Sequence, residues 1–117
     1  MPTAYINGSF PASGFEQITV AGTAIGFTTA QLVVVSTTNA GEGGTSYTST
    51  KTAFEAYITN ETNEIRWTCD GTTPTSTVGH VLAAGSGLML TGYQNLKNFR
   101  AIRTGSSATL SVTFFRK

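Results

Sequence analysis

Apolar and polar residues alternate with a period of two along much of this chain, which is the pattern of half-buried β-strands. The clearest case is residues 108–115, where three apolar residues alternate with three hydroxyl-bearing ones: Leu110, Val112 and Phe114 against Thr109, Ser111 and Thr113. This pattern predicts a strand with one buried face and one hydroxyl-lined face. Residues 99–103 precede it across a short turn at 104–107, so the two segments predict a hairpin.

A second hairpin is predicted where segments 53–59 and 64–69 flank the polar residues 60–63 (NETN). Alternation in the second of these segments puts three core candidates on one face: Ile65, Trp67 and Cys69. Both segments are therefore expected to be neighbours in one sheet.

The chain after residue 69 carries strong turn signals. Asp70 and Gly71 predict a turn in which the Asp70 carboxylate accepts from the backbone amide two residues on. Pro74 cannot donate to a strand ladder and ends the segment. We assign structural roles to these three residues and to Trp67, as a buried aromatic residue.

The first third of the chain is less regular. Residues 15–20 (FEQITV) alternate, but a glutamate shares the face of Ile18 and Val20, so the strand is expected to begin after Glu16. Residues 32–35 (LVVV) form a continuous apolar run, which is typical of a strand covered on both faces.

Several shorter features complete the pattern. Residues 37–46 (TTNAGEGGTS) hold no large apolar side chain and predict a mobile loop. Leu82 and residues 88–90 indicate one further short strand, and residues 95–98 a single helical turn.

Seven to nine short strands with turns about every ten residues predict an all-β, antiparallel β-sandwich or jelly-roll-like fold. We expect an N-terminal arm over residues 1–14 and a single domain over residues 15–117. Composition agrees, because 22 Thr, 10 Ser and 13 Gly disfavour helix. Charged residues make up only 11% of the chain, against about 25% in an ordinary domain.

Candidate catalytic and metal-binding groups are sparse. His80 is the single histidine and Asp70 the single aspartate, and no Gly-x-Ser-x-Gly motif is present. We interpret His80 as a loop residue that caps a turn. A glycosidase pair among Glu55, Glu61 and Glu64 is disfavoured, since Glu61 is expected at a hairpin tip and the other two on solvated strand positions. The expectation is no catalytic residue, no metal and no cofactor, and hence not an enzyme.

Charge is distributed unevenly. Residues 1–70 hold two bases and all six acids, for a net −4, whereas residues 71–117 hold five bases and no acid, for a net +5. Such a molecule can associate head to tail or set a basic face against an acidic partner, unless folding averages the two halves. A total of only +1 disfavours a nucleic-acid partner. No apolar run is long enough to span a membrane.

Four motifs follow one another in the second half of the chain: IRWTCDGTTPT at 65–75, VGH at 78–80, LKNFRAIRTG at 96–105 and ATLSVT at 108–113. In this order they resemble a family of small tailed-bacteriophage virion proteins. The similarity extends over about residues 53–116. Trp67 stands where the family usually has tyrosine, and Cys69 where it has an aliphatic residue.

The resemblance implies an all-β accessory component of the particle, most often a head decoration (cement) protein. Such a protein is non-enzymatic, forms homo-oligomers, is assembled in the host cytoplasm and stabilises the head between major capsid subunits. We expect its partner contacts at seven residues: Lys97, Arg100, Arg103, Gly41, Glu42, Gly43 and Tyr5.

Two alternatives remain open. The first alternative is a tail or adaptor-associated component, and the second is a carbohydrate-binding β-sandwich module. Residues 65–75 are also similar to a repeat in chitobiase C-terminal-type domains, which are often appended to carbohydrate-active enzymes. A sugar-binding groove requires exposed aromatic residues, and the candidates are four tyrosines: Tyr5, Tyr47, Tyr57 and Tyr93.

Overall fold

The structure is a computed structural model that describes residues 12–38 and 47–116. Within these residues the chain forms eight strands and two short helices. In chain order they are β1 (Ala12–Val20), α1 (Thr29–Leu32), β2 (Val33–Thr38), β3 (Tyr47–Asn60), β4 (Ile65–Thr68), β5 (His80–Leu82), β6 (Gly87–Thr91), α2 (Tyr93–Asn98), β7 (Arg100–Arg103) and β8 (Ala108–Arg116).

The strands form two antiparallel sheets that share one hydrophobic core. The larger sheet has the order β1-β8-β3-β2, with β6 also paired to β3, and the smaller has the order β5-β4-β7. Ile58 and Val112 of the larger sheet belong to the same buried cluster as Ile65 and Ala101 of the smaller sheet. The predicted all-β antiparallel class is confirmed, with two sheets packed as in a sandwich. The jelly-roll alternative stays a prediction.

Strand β8 confirms the alternation read from its sequence. Leu110, Val112 and Phe114 are fully buried, whereas the three hydroxyl-bearing residues between them are half-buried. The strand pairs with β1 on one edge and β3 on the other. Both of its edges are therefore paired, and its apolar face is covered by the core shared with the smaller sheet.

Four aromatic rings join the two sheets around Phe99, which is fully buried. The ring of Phe27 stacks on that of Phe99 with centroids 4.5 Å apart and meets Phe114 edge-on at 5.3 Å. Trp67 approaches Phe99 from β4 at 6.1 Å. Rings from four parts of the chain therefore hold the smaller sheet against the larger one.

Both predicted hairpins are wrong. β3 and β4 lie in different sheets, and so do β7 and β8. Residues 61–64 and 104–107 instead carry the chain from one sheet to the other. The two crossings bond to each other, since Asn63 Nδ2 donates to Ser107 O at 2.8 Å and Thr104 Oγ1 donates to Glu64 O at 3.3 Å.

Asn60 explains why the first crossing does not close as a hairpin. Its side chain is 1% exposed, and Nδ2 donates to Asn63 O at 2.6 Å and to Leu82 O at 3.0 Å. Oδ1 accepts from Thr62 N–H at 3.3 Å. The buried amide thus bonds the end of β3 to β5, a strand of the other sheet, and holds the chain in the crossing.

Strand β1 begins at Ala12, earlier than predicted. The expectation that Glu16 lies outside the strand is wrong, because its carboxylate accepts from Thr28 Oγ1 at 2.7 Å and from Thr28 N–H at 3.2 Å. Ile18 and Val20 are buried, as the pattern indicated. Residues 12–14 pair with β8, although the predicted domain starts at 15. The rest of the predicted arm, residues 1–11, lies outside the described residues.

The apolar run at 32–35 is not one buried strand. Leu32 is buried but ends α1, and Val33 and Val34 in β2 are only half-buried. β2 pairs with residues 47–52 of β3, beyond the part of β3 that pairs with β8. The predicted loop at 37–46 contributes residues 37 and 38 to β2, and residues 39–46 lie outside the described residues.

Two shorter features also differ from the prediction. Leu82 and residues 88–90 belong to two strands, β5 in the smaller sheet and β6 in the larger one. The predicted helical turn at 95–98 is present, but the helix begins earlier than predicted: α2 starts at Tyr93 and spans six residues.

Candidate functional site

The structure separates the three basic residues that were predicted to contact a partner. Lys97 lies in the last turn of α2, and Arg100 and Arg103 are the first and last residues of β7; all three are exposed. Arg100 is opposite Thr68 and Arg103 opposite Ile65 on β4. A spacing of three puts the two arginines on opposite faces of β7. Lys97 and Arg100 therefore belong to one surface and Arg103 to another.

Lys97 and Arg100 line a cleft of about 420 Å³ between α2 and the segment at 24–29. We call this site the α2 cleft. Its lining residues are Ala24, Ile25, Gly26, Phe27, Thr29, Leu32, Tyr93, Lys97 and Arg100. An apolar wall and two cations thus face one space, and these lining residues include no carboxylate.

The wall of the α2 cleft is positioned by a short pairing with β7. Ile25 N–H donates to Ala101 O at 2.9 Å, and Ala101 N–H donates to Ile25 O at 2.8 Å. Gly26 follows, and a Cβ at that position would lie 2.8 Å from Phe99 O and would also meet the Arg100 guanidinium. Glycine is therefore required for this close approach of the segment to β7.

Arg100 is held in place by backbone carbonyls. Its Nη1 donates to Phe99 O at 2.7 Å and to Lys97 O at 3.2 Å. Within residues 12–38 and 47–116, neither Lys97 nor Arg100 is bonded to a carboxylate. The cations are thus placed at the cleft without an internal counter-ion in this part of the chain.

A second cleft, of about 440 Å³, is lined by Thr68, Cys69, Asp70, Thr72, Gly79 and His80. Among the described contacts, no hydrogen bond joins His80 to Asp70 or to Cys69. No three His, Cys, Asp or Glu side chains of the described ranges converge as a group able to hold a metal ion.

The interpretation of His80 as a turn-capping loop residue is wrong. His80 is the first residue of β5, directly opposite Trp67 on β4. Its ring lies 4.8 Å from the Trp67 ring, tilted by 40°. A tilted contact with the neighbouring Trp67 ring in the sheet accounts for the position of the imidazole.

The four residues assigned structural roles form the end of β4 and the turn after it. Trp67 packs against the core but is half-buried rather than buried as predicted, and Pro74 is fully buried. Asp70 Oδ1 accepts from Thr72 N–H at 3.0 Å, which is the predicted Asx-turn. Gly71 has φ +94°, in the left-handed region that favours glycine.

Hydrogen bonds from the Thr72 backbone and side chain hold the pKa of Asp70 below its ordinary value. A carboxylate whose pKa is lowered on folding contributes stability above its unfolded pKa and loses it as pH falls through the folded pKa. We expect Asp70→Asn, which keeps the acceptor oxygen, to remove this dependence. The measurement is urea unfolding of both proteins from about pH 7 to about pH 2.

The wild-type chain should lose stability relative to Asp70→Asn as the pH falls across that range. An unchanged difference between the two proteins at all pH values would contradict a role for ionised Asp70 in the turn.

The remaining predicted contact residues cannot be placed on this surface. Tyr5, Gly41, Glu42 and Gly43 lie outside the described residues. The prediction for them stays as it was made from the sequence.

The candidate sugar-binding tyrosines do not assemble into one groove. Tyr57 lies on β3 opposite Thr113, on the outer face of the larger sheet, whereas Tyr93 lines the α2 cleft and packs against the core. Tyr5 and the side chain of Tyr47 lie outside the described part of the chain.

The three candidate glycosidase carboxylates are distributed differently from the prediction. Glu55 is buried rather than solvated. Glu61 and Glu64 are exposed in the first crossing, where Glu61 Oε2 accepts from Gln17 Nε2 at 3.2 Å. Glu61 is therefore in a crossing between sheets and not at a hairpin tip.

Comparison with protein-family models, with curated proteins and with solved structures returned no match to this chain. Among the described residues, no helix has the length and apolar character needed to cross a membrane.

The alternation of apolar and polar residues predicts no element for residues 24–29, although the structure places this segment at the α2 cleft. Its one signal in the sequence is Gly26 between the apolar residues Ile25 and Phe27, and all three are part of the wall of the cleft.

Proposed function

We propose that this chain is a non-enzymatic structural protein of a tailed-bacteriophage particle, a head decoration protein that binds between major capsid subunits. In this proposal the protein assembles in the host cytoplasm, forms homo-oligomers and uses the basic residues around α2 and β7 as polar contacts. No cofactor or metal takes part.

The observation that carries the proposal is where the four resembling motifs lie in the fold. Residues 65–75 supply β4 and the Asx-turn, and residues 78–80 lead into β5. Residues 96–105 end α2 and form β7, and residues 108–113 form most of β8. The motifs therefore supply β4 and β7 of the smaller sheet, the start of β5, the strand on which this sheet packs and the basic side of the α2 cleft, which form a connected structural unit.

Adhesion is the mechanism that such a unit supports. Two packed sheets form a rigid body that can contact neighbouring shell subunits without large rearrangement. Lys97 and Arg100 on one surface, and Arg103 on another, would meet acidic side chains of the shell. Because many identical copies bind one particle, individually weak contacts are sufficient to stabilise it through multivalency.

The test is co-sedimentation with heads purified without this protein, together with light scattering of the chain alone. We expect binding that saturates at a fixed copy number. The oligomer mass would then indicate which symmetry axis the protein occupies. Failure to sediment with heads or with isolated capsid protein would contradict the decoration role.

The two alternatives have their own outcomes in the same experiment. Binding to tails or to the neck, and not to heads, would favour a tail or adaptor component. A chain that ignores all particle parts but is retained on a glycan array would favour the carbohydrate-binding module. For that alternative, the outer face of the larger sheet offers Phe15, which is 58% exposed, in one row with Thr113 and Tyr57.

Alanine at Lys97, Arg100 and Arg103 together is expected to reduce occupancy on heads, with the largest deficit relative to wild type at low salt. The reason is that salt screens the attraction between these cations and an acidic surface, so that the wild-type chain loses more binding than the variant as salt is raised. Quantifying bound protein after sedimentation at two salt concentrations checks this. Occupancy equal to that of the wild type at both concentrations would show that these cations are not contacts.

A further inference from the structure

We propose that the α2 cleft binds a short acidic peptide segment of the partner protein. In this arrangement a carboxylate lies between Lys97 and Arg100, and an apolar side chain next to it packs against Ile25 and Tyr93. The inference rests on the proposed function and names the chemistry of the partner at one of its surfaces.

The donors left on Arg100 favour a carboxylate. Nη1 is engaged by the carbonyls of Phe99 and Lys97, whereas Nε and Nη2 have no hydrogen bond in the described part of the chain and are not among its buried unbonded atoms. A guanidinium held by one nitrogen presents its other edge as a fixed fork, and this edge matches the two oxygens of a carboxylate.

Lys97 adds a second positive charge to the same space. It lies three residues before Arg100 and lines the cleft beside it. Since the lining contains no acid, an incoming carboxylate would neutralise charge that the described residues leave uncompensated. Charge complementarity therefore selects an anionic group for this end of the cleft.

The apolar wall excludes a small inorganic anion as the complete ligand. Ile25 is 38% exposed at the cleft, over the buried side chains of Phe27 and Leu32. The cleft volume of about 420 Å³ falls within the range of about 300–1,000 Å³ usual for ligand sites. An ion alone would leave that wall in water, whereas a peptide with an aliphatic side chain beside its acid covers it.

The test uses the full chain, labelled with ¹⁵N, and two probe peptides. The acidic probe is acetyl-Ala-Leu-Glu-Ile-Ala-amide, and the control probe has glutamine in place of the glutamate. We expect the acidic probe to shift the amide signals of Ile25, Gly26 and Lys97, and the glutamine probe to bind at least about tenfold more weakly.

Two double variants separate the cleft from general charge effects. Lys97→Gln/Arg100→Gln should weaken binding of the acidic probe at least about tenfold. Lys51→Gln/Arg103→Gln removes the same charge from exposed positions outside the cleft and should change binding by less than about twofold. Where Arg100→Gln disturbs the spectrum, Arg100→Lys retains the charge but loses the fork, and should weaken binding of the acidic probe by more than about twofold.

Equal binding of both probes, equal weakening by both double variants, or shifts centred away from the cleft would overturn the inference. So would a change in oligomer mass on substituting Lys97 and Arg100, because the cleft would then be filled by a second copy of the chain.

The same variants on heads distinguish the two proposals. If the Lys97→Gln/Arg100→Gln variant binds heads as well as the wild-type chain does, the proposal for the cleft is overturned and the decoration role stands. If the acidic probe binds as expected but the chain does not bind heads, the decoration role is overturned and the proposed ligand chemistry of the cleft stands.

Discussion

Replacing Phe99 with alanine is expected to lower the free energy of unfolding by about 3 to 5 kcal/mol. The ring is fully buried and lies between Phe27 at 4.5 Å and Trp67 at 6.1 Å. Removing it leaves a cavity between the two sheets that these rigid neighbours cannot fill. Urea unfolding followed by Trp67 fluorescence measures the loss, because Trp67 is the single tryptophan.

Phe15→Ala is the matched control for that experiment. It makes the same chemical change on β1, at a ring that is 58% exposed, and should cost less than about 1 kcal/mol. Similar losses for the two variants would mean that Phe99 does not join the sheets. Phe99→Ala should also weaken binding of the acidic probe to the α2 cleft, because Phe27 stacks on Phe99 and lines the cleft.

Replacing Asn60 with aspartate is expected to destabilise the protein by about 3 kcal/mol or more at neutral pH. The Nδ2 donors to Asn63 O and Leu82 O are lost, and a carboxylate oxygen faces each carbonyl instead. The position is buried, so water cannot compensate. Thermal or urea unfolding at neutral pH measures the effect.

Asn63→Asp serves as the control, because Asn63 is exposed in the same crossing and its side chain makes one hydrogen bond, to Ser107 O. Its cost should stay below about 1.5 kcal/mol. Acidification should partly rescue Asn60→Asp and not Asn63→Asp, since protonation removes the buried charge. The absence of any rescue would argue against a buried carboxylate at position 60.

Residue alternation was sufficient to predict the strands that lie in the middle of a sheet. β8 reads directly from its sequence because both of its edges are paired and one face is covered, so every second residue meets the same environment. The Asx-turn at Asp70 is likewise local, since its donor and acceptor are two residues apart. Interactions within a few residues of each other leave a readable signal.

The partners of those strands were not predictable in the same way. Turn-forming residues at 60–63 and 104–107 indicate that the chain changes direction, but they do not determine in which sheet the next strand lies. That choice depends on Asn60 reaching Leu82, 22 residues away, and on the two crossings bonding to each other. Glu16 shows the same limit, because its partner Thr28 is 12 residues distant.

The same distinction between local and long-range interactions applies to the candidate site. The sequence by itself determined the all-β class, the buried face of β8 and the turn at Asp70, because composition, period and local hydrogen bonding need no distant partner. Only the tertiary structure separated Arg103 from Lys97 and Arg100 and brought Ile25 and Phe27 beside α2. The cleft exists because Ile25 pairs with Ala101 of β7, which lies 76 residues later in the chain, and a contact of that separation is decided by packing of the whole core.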